Sequence, residues 1–385
     1  MGLQTPDPQT PPKPARTRLG TLRMEKRAAP SQAMRWLMPL ASVAVALLLG
    51  VIPLLLRGVN PLDAYAKLFE GALGSLQALA KVAVKMTPLL FTGLAVAIPL
   101  RAGLWNIGAE GQLHMGAVGA TWVALSFLGT DIPSWLLVPL MIMAGALLAG
   151  AYAFLPALLK AKFSTNEIIT TLMLNYVALY IVQLLITGPW RDSSGFPRSE
   201  PFDVAAHFPE FFGTRIHLGL PVALGVALLI HFIYEKTRIG YETKVVGANP
   251  RAAALGGISQ TKAILWTLVL GGAIAGLAGV GEVAATQHRL IEGISPLFNP
   301  YGYTGIAVAL LAKGHPLGLL PSAFAFSALF VGGEAIKTIK FISVFTGEGV
   351  QVPVAIVLIL QVLVIACIIG GDYLSRYRIR WKRHG

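Results

Sequence analysis

At 385 residues the chain carries 55% hydrophobic and only 13% charged residues, with a mean hydropathy of +0.67. Soluble domains carry about 25% charged residues, so water is excluded as the principal solvent. The net charge of +13 resides in residues 1–35 (+5), 235–262 (+3) and 376–384 (+5), all beside apolar runs; basic segments flanking membrane spans are distributed this way, and nucleic-acid binding is not expected.

In chain order, residues 1–33 are polar, Pro-rich and basic, which predicts a disordered cytoplasmic tail. The run from Met34 to Leu56 is too long for a signal-peptide core and has no small-residue cleavage site after it, so it reads as an uncleaved anchor helix. About 20 apolar residues cross the bilayer core, and further runs of that order fall near 87–103, 111–129, 134–158, 168–187, 217–234, 263–283, 317–334 and 353–371. A last run near 301–313 is short and interrupted by Gly. The expectation is therefore an all-α polytopic membrane protein of about ten transmembrane helices. Basic ends place both termini in the cytoplasm, with a transmembrane domain over 34–372 and a second basic tail over 373–385.

That order puts Lys160 and Lys162, the 235–262 loop, and Lys313 with His315 inside, and the acid-balanced 188–216 loop outside. Residues 57–86 fit less well, because Lys81 and Lys85 then lie on the outer side. Their helical stripe of Leu62, Tyr65, Phe69, Leu73, Leu76 and Leu79 predicts an amphipathic helix on the outer interface, with a kinked half-span as the alternative. TGLAVAIPLRAG (92–103) is echoed by TGIAVALLAKG (304–314); transporters carry such repeats with broken helices at matching positions.

Three segments carry chemistry. RAGLWNIGAEGQLHMG (101–116) sets Arg101, Asn106, Glu110, Gln112 and His114 among glycines between two apolar runs. Such backbone is tolerated at membrane depth only under protein cover or beside a water-filled cavity. Asn106 is placed to cap the next helix, and Glu110 suits its positive end. An ordinary cytoplasmic turn explains Arg101 and Glu110 equally well; it suits Asn106, Gln112 and His114 less, because the next helix would bury them. In KAKFSTNEIITTLMLNYVALY (160–180), Ser164 and Glu167 fit a capping box. Asn175, two turns deeper, either bonds a neighbouring helix or faces a pathway. In GYETKVVGANPRAAALGGI (240–258), Asn249 as N-cap, Pro250 at the first position, helix-forming Ala252 to Leu255 and a left-handed stop at Gly256 predict a two-turn helical knob in the longest cytoplasmic loop. A partner's groove can grip such a knob; a solvated turn is the plainer reading.

Absences narrow the classes. No GxxxxGK[ST] is present, so the chain does not cradle ATP phosphates itself. No HExxH, GxSxG or Cys/His ligand spacing occurs among the seven His and the single Cys367, so neither a metal site nor a membrane hydrolase is indicated. Ionisable groups inside the spans are scarce, Glu282 and His231 coming nearest, which disfavours a proton- or ion-coupled carrier. Trp190, Phe196, Phe202, Tyr301 and Tyr303 cluster where the outer mouth is expected; they suit a flat solute or an aromatic interface belt alike.

GLWNIGAEGQ (103–112), NEIITTLMLNY (166–176) and GANPRAA (247–253) resemble, in order and spacing, the permease subunits of bacterial ABC importers of the branched-chain amino acid/ribose type, in the nucleoside and simple-sugar branch. The likeness covers residues 35–372. It implies a non-enzymatic subunit in a bacterial inner membrane that moves a small polar solute inward by alternating access: a nucleoside first, a simple sugar or riboflavin next. It further implies a separate ATP-binding subunit, a second permease that is a related chain, an external substrate-binding lipoprotein and surrounding lipid, with no cofactor. Gly247, Asn249, Pro250, Arg251, Ala252 and Ala253 would then form the coupling helix against the ATPase, with Asn106, Glu110, Gln112, His114 and Asn175 at the pathway or its gate. Two departures stand out: Ala248 where relatives commonly have an acid, and His114 where they are usually apolar. The rival class is a secondary transporter or facilitator acting without an ATPase.

Overall fold

The computed structural model describes residues 21–26, 32–295 and 300–382. Apolar periodicity resolves into thirteen helices among the described residues. They are α1 (Gln32–Leu56), α2 (Pro61–Leu73), α3 (Leu76–Arg101), α4 (Ala109–Ser126), α5 (Ser134–Phe163), α6 (Glu167–Thr187), α7 (Gly219–Lys236), α8 (Arg238–Ala248), α9 (Pro250–Leu255), α10 (Gln260–Gly281), α11 (Tyr301–Leu311), α12 (Leu319–Thr338) and α13 (Val354–Arg376). The few strands form three two-stranded antiparallel ribbons. One of them pairs Thr21–Lys26 with Tyr377–Lys382, so part of each basic tail is strand; the rest of the expected N-terminal tail, 1–20 and 27–31, lies outside the described residues.

Seven helices are long and apolar enough to cross a membrane: α3, α5, α6, α7, α10 with its π-helical extension to Gln287, α12 and α13. The bent pair α1–α2 makes an eighth. The ten apolar runs each have a helix, but two of the ten fall outside that set. α4 opens with Glu110, Gln112 and His114, and α11 has 11 residues, about 16 Å at 1.5 Å per residue against a core of about 30 Å.

Residues 57–86 also differ from expectation. They divide into α2 and the first turns of α3, so Leu76 and Leu79 belong to another helix than Leu62 and Phe69. The chain bends by 116° between α1 and α2. α2 buries Ala64, Leu68 and Ala72, packing on α12, where a Cβ at Gly332 would lie 2.4 Å from the Leu68 carbonyl oxygen. A partner helix for one face, and not lipid alone, holds this segment.

The centre is α4, buried along Ala109–Thr121 between α5, α10, α6, α3 and α11. Small residues permit this closeness: a Cβ on Gly116 would sit 2.2 Å from the Gly276 carbonyl oxygen of α10. α3 and α11, which carry the repeated TG-AVA segments, pack together, Thr92 Oγ1 donating to the Tyr301 carbonyl at 3.0 Å. The turns at 58, 129, 203 and 344 gather at one end, through Val344 N to Gly58 O and Gly129 N to Asp203. α9 and the ends of α3 and α11 lie at the other.

Candidate functional site

The chain leaves α3 at Arg101, reverses through Gly103 at φ +76°, and runs without helix to Gly108 before α4 begins. This segment does not stay in a surface turn. Asn106, fully buried, donates from Nδ2 to the Ala95 carbonyl at 3.1 Å, inside α3 and well short of its end. The break between α3 and α4 therefore lies within the bundle, where every backbone group needs a protein partner.

Those partners are the expected residues. Asn106 and Gln112 exchange amide hydrogen bonds at 2.9 Å and 3.1 Å, and Asn106 Oδ1 also accepts from Gly108 N at 3.1 Å. Asn106 thus closes a tight turn rather than capping α4, whose N-cap is Gly108 with no side-chain cap. Asn175 of α6 accepts from Gly111 N at 2.8 Å and donates to Ile107 O at 2.9 Å and to the Tyr303 hydroxyl at 3.1 Å. Of the two readings open for Asn175, bonding a neighbouring helix is the one observed.

Glu110, buried in the first turn of α4, accepts from Gly302 N at 2.7 Å. A single carboxylate therefore sits at the positive ends of α4 and α11 together, a favourable position for an anion. A Cβ on Gly302 would lie 2.3 Å from Glu110 N, so the two helix starts touch. His114 donates from Nδ1 to the Glu110 carbonyl at 2.8 Å and stands 3.8 Å from Glu110 Oε1. All five expected residues, Asn106, Glu110, Gln112, His114 and Asn175, thus meet in one polar joint of α4, α6 and α11, and Asn106 and Gln112 saturate each other within it.

Sequence reasoning missed two members. Thr171 accepts from Ile107 N at 3.2 Å; lying one turn before Asn175 on the same buried stripe of α6, it carried a readable signal. Lys85 donates to the Tyr301 hydroxyl at 3.0 Å, which in turn reaches the buried Glu282 carboxylate. Tyr301 is 1% exposed, so it offers nothing to an outer mouth. Nor does Ser164 open a capping box: α5 runs on to Phe163, Ser164 ends it at φ 54°, and Asn166 caps α6. Glu167 pairs with Lys160 at 2.9 Å.

The knob is α9 with α8 before it. Asn249 Oδ1 accepts from Arg251 N and Ala252 N at 3.1 and 3.2 Å, with Pro250 at the helix start. Ala253 is fully buried against Val246 and Ala263, whereas Arg251, Ala252, Ala254 and Leu255 are exposed, Leu255 by 93%. The left-handed stop falls at Gly257, φ +75°, one residue beyond the expected Gly256. Gly247 joins knob to joint: a Cβ there would lie 2.2 Å from the Arg101 carbonyl oxygen, at the turn leading to Asn106. Arg101 itself is tied to α7 through Glu235 at 3.1 Å and stacks over Tyr234 at 4.4 Å.

At the opposite end, a loop of 188–218 is held by Asp192, which bonds Ser194 N and Arg198; these contacts hold its carboxyl at about 2, below the usual range. His217 is buried, which lowers its pKa to about 4, and its Nδ1 accepts from Gly219 N at 3.1 Å.

Together these give a multi-pass helical bundle with a broken central helix, a half-length α11 and a projecting knob, the architecture of an integral membrane protein. Residues 78–369 match the family described as the branched-chain amino acid transport system permease component, and the chain belongs to that family. It is 37% identical over 353 residues to a glucose ABC transporter permease of Haloferax volcanii, covering 89% of each chain. Against a guanosine ABC transporter permease of Bacillus subtilis it is 34% identical over 301 residues, 77% of this chain and 85% of that one. A nucleoside ABC transporter permease of Lactococcus lactis subsp. cremoris is 33% identical over 310 residues, 78% and 84% of the two.

Proposed function

We propose that this chain is the membrane-spanning subunit of an ATP-binding-cassette importer, carrying a small uncharged polar solute by alternating access while a separate ATP-binding subunit hydrolyses ATP. The observation that carries the reading is the linked path from knob to joint. α9 exposes Arg251 and Leu255 for a partner's groove, and Gly247 bears on the backbone at Arg101. Nine residues after Arg101, Glu110 holds α4 and α11 together. Movement of the knob therefore bears on the one place where the central helices are broken. In this reading Asn106, Gln112 and Asn175 brace the gate, the Glu110–Gly302 bond is its moving contact with His114 beside Glu110 on α4, and Gly247, Asn249, Pro250, Arg251, Ala252 and Ala253 form the coupling helix.

A second, related permease chain completes the pathway, and an external binding lipoprotein delivers the solute; both ends of the chain are cytoplasmic and the membrane is a bacterial inner membrane. A nucleoside or simple sugar is favoured as solute, in keeping with the nucleoside, guanosine and glucose permeases it resembles, with riboflavin next. The test is uptake of labelled guanosine, glucose and riboflavin into vesicles with and without the co-expressed ATPase. ATP-dependent uptake of one of them is expected. Uptake by this chain alone, driven by an ion gradient, would refute the reading in favour of a secondary transporter.

A further inference from the structure

α6 is the least covered of the central helices, and its uncovered surface is not uniform. One stripe, Glu167, Thr171, Asn175, Ala178, Val182 and Ile186, is buried against α4. Around the helix, the flank on the side of α5, where Tyr152 reaches the Leu174 carbonyl, carries Leu174, Val177, Ile181 and Leu184; Leu174 and Ile181 are half-buried, and Val177 and Leu184 are exposed. The flank next to α11, where Tyr303 is reached from Asn175, carries Tyr176, Tyr180, Gln183 and Thr187, spaced i, i+4, i+7 and i+11, one line along the second half of a helix of 3.6 residues per turn; in the first half the same line carries the exposed apolar Ile169 and Met173. Tyr176 and Tyr180 are 52% and 64% exposed.

Depth makes this asymmetry informative. α6 has 21 residues, about 31 Å at 1.5 Å per residue, so Tyr176 lies near its midpoint. Aromatic belts belong at the membrane interfaces, not at mid-depth. The Thr187 hydroxyl is returned to its own helix at the Gln183 carbonyl, 2.7 Å away. Among the described residues, the hydroxyls of Tyr176 and Tyr180 and the amide of Gln183 make no hydrogen bond. Facing hydrocarbon, each unmade bond would cost several kcal/mol, roughly 4–8 by transfer to an alkane. The other flank of the same half of the helix is apolar at all four of Leu174, Val177, Ile181 and Leu184, with Val177 and Leu184 exposed. The polar line also continues onto Tyr303, half-buried on α11, through Asn175 at 3.1 Å, and so reaches the joint.

We infer that this flank of α6, Tyr176, Tyr180, Gln183 and Thr187 with Tyr303 beside it, is the water-filled wall along which solute moves, and that it selects uncharged ring-bearing polar molecules. Phenol faces stack on flat or ring-shaped apolar surface, while hydroxyls and one amide exchange hydrogen bonds with solute hydroxyl and ring-nitrogen groups. No ionisable carboxylate or ammonium stands in the line, so a charged solute would find no counter-charge there. This inference rests on the transport reading above and gives it a surface.

The experiment uses the full importer complex in proteoliposomes. The sole cysteine, Cys367, is replaced in a Cys367→Ser background, and single cysteines are then introduced by Tyr176→Cys, Tyr180→Cys and Gln183→Cys on one flank and Val177→Cys and Ile181→Cys on the other. A charged, membrane-impermeant methanethiosulfonate reagent is the probe. Because only the thiolate reacts and it forms where water reaches it, the first three should be labelled about tenfold or more faster than the last two. Saturating guanosine or glucose should slow them, and arginine should not. Should a Tyr variant fail to insert, Gln183→Cys and Thr187→Cys, which remove no ring, carry the same comparison. Equal rates on both flanks, or an inert Gln183→Cys that cross-links instead to the second permease, would overturn the inference. Parallel measurement of ATP-dependent uptake by the Cys367→Ser complex separates the two failures: uptake without the labelling contrast sinks the wall, and absence of ATP-dependent uptake sinks the importer.

Discussion

The contact of Gly247 with the end of α3 makes a quantitative demand. A methyl group added by Gly247→Ala would lie 2.2 Å from the Arg101 carbonyl oxygen and 3.0 Å from the Ala102 carbonyl carbon. Comfortable contacts begin near 3.5 Å, so α8 and the 101–103 turn must separate by roughly 1 Å. The neighbours are backbone, and no rotamer change relieves them. Overpacking of this kind costs about 1–3 kcal/mol, a factor of roughly 5 to 150 in any equilibrium that needs the contact closed. Gly225→Ala on α7 is the control, because nothing stands within 4 Å of its Cβ position and replacing a mid-helix Gly gains about 0.5–1 kcal/mol. The assay is solute moved per ATP hydrolysed in proteoliposomes, beside the melting temperature in detergent. Gly247→Ala should lower both while hydrolysis persists, and Gly225→Ala should lower neither. If the two variants behave alike, the knob does not act through this contact.

Asn106→Ala should strand the Gln112 amide, Gly108 N and the Ala95 carbonyl together; leaving such groups unsatisfied costs about 1–3 kcal/mol each, and a drop in melting temperature with loss of uptake is expected. Glu110→Gln keeps the shape but removes the charge shared by two helix starts, at about 0.3–2 kcal/mol; uptake should fall further than stability. Asn249→Ala combined with Arg251→Glu should abolish co-purification of the ATP-binding subunit while leaving the bundle folded, read by pull-down and by thermal melting. His217 gives a pH signature. Its folded pKa of about 4 lies below the ordinary 6.5, so between these values the unfolded chain binds a proton that the folded one refuses. Stability should therefore fall as pH drops from 6.5 to 4, by at most roughly 3 kcal/mol, and level off below; His217→Gln should flatten that slope in acid-denaturation curves.

Much of this architecture is legible in the residues because its causes are local. Apolar run length placed helices at α5, α6, α7, α10, α12 and α13, and the Asn249–Pro250 start of α9 follows from capping alone. Where helices compete for the same residues, local rules fail. Ser164 was consumed in ending α5, which left capping to Asn166. The single stripe drawn through 62–79 crossed a helix break at Gly74 and Ser75, because α2 ends there to pack on α12 and Ser75 caps a new helix, α3. The joint was legible as a set of residue types, but its pairings were not: Glu110 meets Gly302 across 192 positions of sequence, and nothing periodic encodes that. Glu282, read at a span end, is buried because α10 continues past Gly281 as a π-helical turn.

The saturation of the joint bears on how selection and gating are divided. Asn106, Gln112 and Asn175 spend their hydrogen bonds on backbone and on one another, so a solute could bind them only by displacing contacts that hold α3, α4 and α6 in place. A residue set committed in this way suits bracing better than recognition. Glu110 differs, since its carboxylate accepts from Gly302 N and so joins α4 directly to α11, with His114 beside it on α4; opening the two helix starts must break that bond. The polar groups at the same depth that make no hydrogen bond among the described residues are on α6, at Tyr176 and Tyr180, with Tyr303, held by Asn175, beside them. Recognition on that wall and movement at Glu110 would then be adjacent yet chemically separate, so permeases of this family could change solute by altering the α6 flank while keeping the joint and the knob that drives it.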